Sequence, residues 1–185
     1  MTKYKETFRI ESTRLKEWDY SNPWWYYVTI NTKNHISYFC KVNNGKVDLI
    51  EIGNCAKKLW EEIPNHFQNI ELDYFVIMPN HIHGMIIINH RDIVETRHGV
   101  SLQLLENKFS KPIKNSLSVI INQYKGSVKR WCNKNGYANF EWQSRYYDRI
   151  IRNEKELYNI RKYIEQNPLK WEIEKNDSEN IYDLL

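Results

Sequence analysis

The sequence has few cysteines, no long apolar run and no large excess of either charge. Cys40, Cys55 and Cys132 are odd in number and lie far apart. That argues against a secreted disulfide scaffold and against a zinc module built on paired cysteines. No apolar stretch approaches the roughly 20 residues that a membrane-spanning helix needs. The opening MTKYKETFRI has no apolar signal core. Lys and Arg number 27 against 23 Asp and Glu, a formal net charge of +4. Such a balance permits a nucleic-acid partner without requiring one. No internal repeat or low-complexity tract is visible. What the chain does have is aromatic residues, 14% of the total with 7 Trp and 13 Tyr, which argues against disorder. Its 185 residues suit one domain with a real core. The expectation is a soluble, cytoplasmic globular protein.

Three segments are expected: a basic N-terminal arm over 1–22, a folded catalytic domain over 23–171 and an acidic tail over 172–185. WWYYVTIN (24–31) is aromatic and β-branched, a strand. ISYFCKV (36–42) and VDLIEI (47–52) flank Asn43-Asn44-Gly45, a hairpin turn signal. Ala56, Leu59, Trp60 and Ile63 recur at helical spacing before Pro64. IELDYFVI (70–77) and HIHGMIII (81–88) are strands joined by Met78-Pro79-Asn80. Residues 91–115 read as an irregular loop. A helix is expected over 116–134, with Ser116 as its cap. A second is expected over 153–167, with Asn153 and Glu156 at capping-box spacing and Pro168 as its stop. The simplest packing is an α+β sandwich with helices on one face of an antiparallel sheet.

His81 and His83 stand two apart on a strand, so both side chains leave one face and can reach one metal ion. Ile82 points into a core, and Gly84 leaves space for a substrate backbone. Two His on a strand are also ordinary half-buried polar residues, and two ligands are too few for a closed zinc site. Tyr163 and Asn167 share a helix face at i, i+4. The Asn167 amide oxygen could complete a mixed nitrogen and oxygen set for Mg²⁺ or Mn²⁺ acting as a phosphate clamp. Tyr163 would then stand close enough to attack the held phosphate. Tyr163 also lies in the apolar stripe of Ile160 and Ile164, so core packing is the plain alternative. Tyr124 is a weaker nucleophile candidate, because its i+4 residue, Val128, cannot bind a metal.

Lys111, Lys114, Lys125, Lys129, Arg130 and Lys134 form a basic stretch without an acid, and Arg145, Arg149 and Arg152 a second cluster beside Tyr146 and Tyr147. Alternating basic and aromatic residues suit single-stranded DNA, where phosphates pair and bases stack. A solvated helix face is the bland alternative.

Three stretches, FVIMPNHIHGMIII (75–88), FEWQSRYYDRIIRNEKEL (140–157) and YIEQNPLKW (163–171), carry a resemblance. The chain resembles the HUH single-tyrosine transposases, above all the REP-associated tyrosine transposases and related small transposases, from Trp24 to Trp171. HUH denotes His, hydrophobic, His, here His81-Ile82-His83. The resemblance implies a ferredoxin-like or RRM-like antiparallel sheet. It implies Tyr163 as nucleophile, Asn167 as third metal ligand and Tyr124 on a supporting helix. It also implies a single-stranded DNA substrate with a hairpin, repetitive palindromic elements included, and a monomer or homodimer. The implied chemistry is metal-dependent cleavage and rejoining through a covalent 5′-phosphotyrosine. A metal-bound hydroxide, Lys162 or Lys170 could assist Tyr163. The alternatives are a hairpin-binding protein with a regulatory or inactive site, and an RNA-binding protein or nuclease on the same sheet.

Overall fold

The computed structural model describes the backbone of residues 3–4, 7–8, 15, 17–90 and 115–182, with side chains for those residues except 3–4, 7–8 and 176–182. The expected loop over 91–115 therefore lies outside the described residues, apart from Asn115. The strands are β1 (Lys3–Tyr4), β2 (Thr7–Phe8), β3 (Trp24–Asn31), β4 (Cys40–Asn43), β5 (Lys46–Leu49), β6 (Ile70–Ile77), β7 (His81–Ile88) and β8 (Tyr147–Ile150). The helices are α1 (Glu51–Glu61), α2 (Ile63–His66), α3 (Leu117–Lys134) and α4 (Glu154–Tyr182).

The main sheet has the order β6-β7-β3-β8, and every pairing is antiparallel. With α1 between β3 and β6, and α3 between β7 and β8, this is the βαββαβ arrangement of the ferredoxin-like fold. β7 sits centrally, with Asn31 opposite His81 and Thr29 opposite His83.

Side chains alternate across a strand, so each face has its own core. Tyr26, Val28, Ile30, Ile82 and Ile86 pack with Ala56 and Trp60 of α1 and Ile120 and Tyr124 of α3. Tyr27 and Met85, on the opposite face, pack with Ile151 and Ile164, and with Leu157 and Ile160 of α4. Helices thus cover both faces, two on one and α4 on the other. Gly84 falls on the α1 face. A Cβ there would lie 2.3 Å from the Trp60 indole, so the space beside Gly84 belongs to the core and not to a substrate.

Several sequence expectations change in the folded chain. Residues 17–22 are part of the fold: Trp18 donates its indole N–H to the Tyr26 hydroxyl at 3.1 Å, and the Tyr20 carbonyl accepts from Leu117 N at 3.0 Å. Pro64 lies in the first turn of α2, beyond the end of α1 at Glu61. β4 and β5 are shorter than expected and form a separate two-stranded sheet. β8 is a four-residue edge strand that charged and aromatic neighbours concealed.

The main difference is α4. Asn153 Oδ1 accepts from the N–H of Glu156 at 2.9 Å, the expected cap, while the Glu156 carboxylate reaches back to Arg152 N at 2.8 Å. The helix then continues through Pro168 to Tyr182. An interior proline costs about 3 kcal/mol, because it forfeits one hydrogen bond and crowds the carbonyl four residues back. Asn167 and Pro168 are both buried, and contacts on either side of the proline offset that loss. The acidic tail accordingly begins inside a helix, with no break at 171.

Candidate active site

Strand alternation sends the imidazoles of His81 and His83 toward α4, while Ile82 enters the core beneath. The two Nε2 atoms lie 3.0 Å apart. Each Nδ1 is held from behind. The Asn80 amide donates to the His35 carbonyl at 3.0 Å, and this fixes its oxygen toward His81 Nδ1 at 2.7 Å. An amide oxygen only accepts, so His81 carries its proton on Nδ1 and presents a lone pair at Nε2. His83 Nδ1 lies 2.7 Å from the Tyr27 hydroxyl and 2.9 Å from Thr29 Oγ1. Burial pushes His81 down to about 4, with the charge of His35 adding to the effect and the Asn167 side chain, as acceptor for the protonated ring, opposing it. Burial, then the neighbouring His81, pushes His83 down to about 3. Both rings are neutral at pH 7.

α4 supplies the other half. The Tyr163 hydroxyl lies 3.5 Å from His83 Nε2, and its ring centroid is 5.2 Å from that imidazole. Tyr163 is 40% exposed, so its hydroxyl can meet a ligand. One turn on, Asn167 is 6% exposed, and its side chain lies close enough to His81 to act on that imidazole. Trp171 closes the next turn, 5.6 Å from His81 between ring centroids. Lys170 Nζ lies 5.8 Å from the Tyr163 ring centroid. The i, i+4 relation of Tyr163 and Asn167 survives the following proline because α4 does. Tyr124 is buried in the other core and donates its hydroxyl to the Ala56 carbonyl at 3.0 Å.

The donors fit a divalent cation. Two ligands at right angles, each about 2.1 Å from one ion, stand about 3.0 Å apart, and the two Nε2 atoms have that separation. Hydrogen bonds to the rear nitrogens orient metal-binding imidazoles in the same way. Among the described residues no group of three or more His, Cys, Asp or Glu is placed to hold a metal ion. The set would be His81, His83 and the Asn167 oxygen, all uncharged, which leaves the ion's full charge for a phosphate.

The basic residues divide. Lys111 and Lys114 lie outside the described residues. Lys125 is buried, and its ammonium donates to the Gln143 carbonyl at 2.6 Å and the Ser144 carbonyl at 3.4 Å. Lys129 donates to the carbonyls of Ala138 and Phe140 at 2.9 and 2.6 Å. These two lysines hold the loop over 138–144, so the expected phosphate-binding pair instead braces that loop, Lys125 from a buried position and Lys129 from a half-buried one. Arg130 donates to Ser127 Oγ at 2.8 Å; it and Lys134 are exposed on α3, across the sheet from the histidines. Arg145, Arg149 and Arg152 are exposed, and Arg149 forms an ion pair with Glu156. Tyr147, opposite Thr29, shares the histidine face; its ring lies 6.4 Å from Tyr27, whose ring lies 6.5 Å from Tyr163.

Tyr27, Thr29, Asn80 and Trp171 are site residues that the sequence reading passed over. Asn80 adjoins His81, and Tyr27 and Thr29 have the i, i+2 spacing of one strand face. Only the pairing of β3 with β7 brings them behind His83.

The sheet order and the paired histidines facing a tyrosine helix define the fold of the HUH single-tyrosine transposases. A REP-associated tyrosine transposase, solved bound to a REP hairpin, superposes with a TM-score of 0.53 at 18% identity, covering 87% of this chain and 74% of that one. A candidate transposase from Deinococcus radiodurans gives a TM-score of 0.44 at 15% identity, over 85% of this chain and 96% of that one. The chain belongs to one family with an uncharacterized protein of Haemophilus influenzae, 37% identical over 162 residues, 87% of this chain and 89% of the relative. No protein-family model matches.

Proposed function

We propose that this protein is a metal-dependent transposase acting on single-stranded DNA, which it cleaves and rejoins through a covalent 5′-phosphotyrosine. The observation that carries the reading is the Tyr163 hydroxyl 3.5 Å from His83 Nε2, with Asn167 one turn along at His81. Recognition through a hairpin is part of the proposal, supported by the fold shared with a transposase solved on a REP hairpin.

His81, His83 and Asn167 would hold Mg²⁺ or Mn²⁺, which when bound would act as a Lewis acid on the scissile phosphate. Asn80, Tyr27 and Thr29 keep the two imidazoles aimed at one point. Tyr163 forms a bond from its phenolic oxygen to phosphorus as the bond from phosphorus to the 3′-oxygen breaks. The phenolic proton passes to solvent, and the departing 3′-oxygen takes one up from solvent as a hydroxyl. Lys170, above the Tyr163 ring, stabilises the phenolate charge during attack. In the reverse step a 3′-hydroxyl attacks the phosphotyrosine, so strands rejoin without ATP. The exposed Tyr147 offers a face on which a neighbouring base stacks.

The test uses 3′-labelled single-stranded hairpins with Mn²⁺ or EDTA, read on denaturing gels. The label should stay with the protein only when metal is present. It should vanish in Tyr163→Phe and persist in Tyr124→Phe. Tight hairpin binding with no adduct in the wild-type protein would replace this reading with a binding protein.

A further inference from the structure

The hairpin of β4 and β5 adds no strand to the main sheet, yet it touches α4 at one defined place. Its turn residues Asn44 and Gly45 have φ of 52° and 67°, left-handed at both positions, as a two-residue hairpin turn requires. Their N–H groups both donate to the carboxylate of Glu172, Asn44 N at 2.8 Å and Gly45 N at 2.6 Å. Leu169, one turn earlier, lies over Gly45, where a Cβ would meet it at 3.4 Å.

The location of this contact gives it meaning. Pro168 has no N–H, so the Ile164 carbonyl loses its usual partner, and α4 is weakest around Asn167. Before the proline, α4 is anchored by Ile164 in the core and by Arg161, which donates to the Asp73 carboxylate at 2.7 and 2.9 Å. After it, apolar burial is slight: Leu169 is 54% exposed and Ile173 is 51% exposed. Among the described residues, anchors beyond the weak point include Trp171 against His81, Leu169 over Gly45 and Glu172 on the turn.

We propose that Glu172 is a positioning residue for the active site, clasping the β4–β5 turn so that α4 beyond Pro168 holds Asn167 in register with His81 and His83. The inference rests on the metal-dependent reading above. A surface hydrogen bond with no such role would add stability alone. The proposed role ties it to metal affinity as well.

The experiment compares the full chain with Glu172→Ala, Glu172→Gln and Lys129→Met. Mn²⁺ affinity is read by electron paramagnetic resonance, and hydrogen exchange is read on the metal-free proteins. Glu172→Ala should weaken Mn²⁺ binding at least about tenfold, the scale typical of residues that orient metal ligands. Its amides over 169–175 should exchange several-fold faster. Glu172→Gln, with one amide oxygen for two donors, should fall between and serves if the alanine variant does not fold. Lys129→Met, a structural change remote from the histidines, should lower the melting temperature and leave Mn²⁺ affinity unchanged. Wild-type affinity in both Glu172 variants, or unchanged exchange, overturns the inference and leaves the proposed function standing. Failure of the wild-type chain to bind Mn²⁺ overturns the metal reading and the inference together.

Discussion

Gly84 stands between two histidines' worth of chemistry and a full core, and it belongs to the core. Its missing side chain admits the Trp60 indole, which a Cβ would meet at 2.3 Å. Overpacking of this kind costs about 1–3 kcal/mol. Gly84→Ala should therefore melt several degrees lower by circular dichroism, and an unchanged melting temperature would show that Trp60 can yield. The spacing that places His81 and His83 together was legible in the sequence. The same rule, carried one residue further, puts Gly84 on the opposite face, where it cannot border a substrate. The cysteines give a second residue-scale prediction. Burial pushes the Cys40 thiol up to about 12, and burial pushes Cys55 and Cys132 each up to about 11. A raised thiol pKa means less thiolate, roughly one part in a thousand or less at pH 8, and thiolate is the reactive form. Thiol-reactive dyes should label the native protein slowly and the urea-unfolded protein quickly. Rapid labelling of the native chain would count against this burial.

At the scale of elements, α3 and its lysines correct a charge-based expectation. Lys125 and Lys129 read as a phosphate-binding pair because they stand four apart among basic residues. Sequence spacing fixes their helix face but not what lies opposite, and what lies opposite is a loop whose carbonyls accept from both ammonium groups. Removing the ammonium should leave those carbonyls unsatisfied, a loss of about 1–3 kcal/mol. Lys125→Met should thus lower the urea midpoint while hairpin affinity, measured by anisotropy at fixed salt, stays near wild type. A large loss of DNA affinity in a stably folded variant would return Lys125 to the DNA surface. α4 shows the complementary limit. Its start was legible from Asn153 and Glu156. Its end was not, because the local rule that proline stops a helix is overridden by packing against β7 and the β4–β5 turn. Such contacts are distant in sequence and leave no local signal.

For the whole molecule, the alternation of strands and helices was enough to expect an α+β sandwich. The distribution of helices over both faces was not readable, since the second face is created by α4 folding back across the sheet. This topology separates the basic residues. Arg145, Arg149 and Arg152 surround β8 and the start of α4, while Arg130 and Lys134 lie on α3 across the sheet. For single strands the logarithm of affinity falls with the logarithm of salt by about 0.7 per phosphate neutralised. Replacing the three arginines of the first group with alanine should reduce that slope by about two on an unpaired oligonucleotide. Replacing Arg130 and Lys134 should change it less. Equal losses from the two groups would place the DNA on both sides of the sheet. No described helix is long and apolar enough to cross a membrane.

The central strand β7 has one further consequence. His81, His83 and Met85 look toward α4, and Ile82, Gly84 and Ile86 look toward α1 and α3. From His81 to Gly84, candidate-site and architectural positions therefore alternate residue by residue, and Met85 joins the core under α4. A complete substitution scan of this strand would trace two interleaved records, one of lost activity in well-folded protein and one of lost protein. Descent can edit the first record without touching the second. A lineage that sheds its histidines can keep the same sheet.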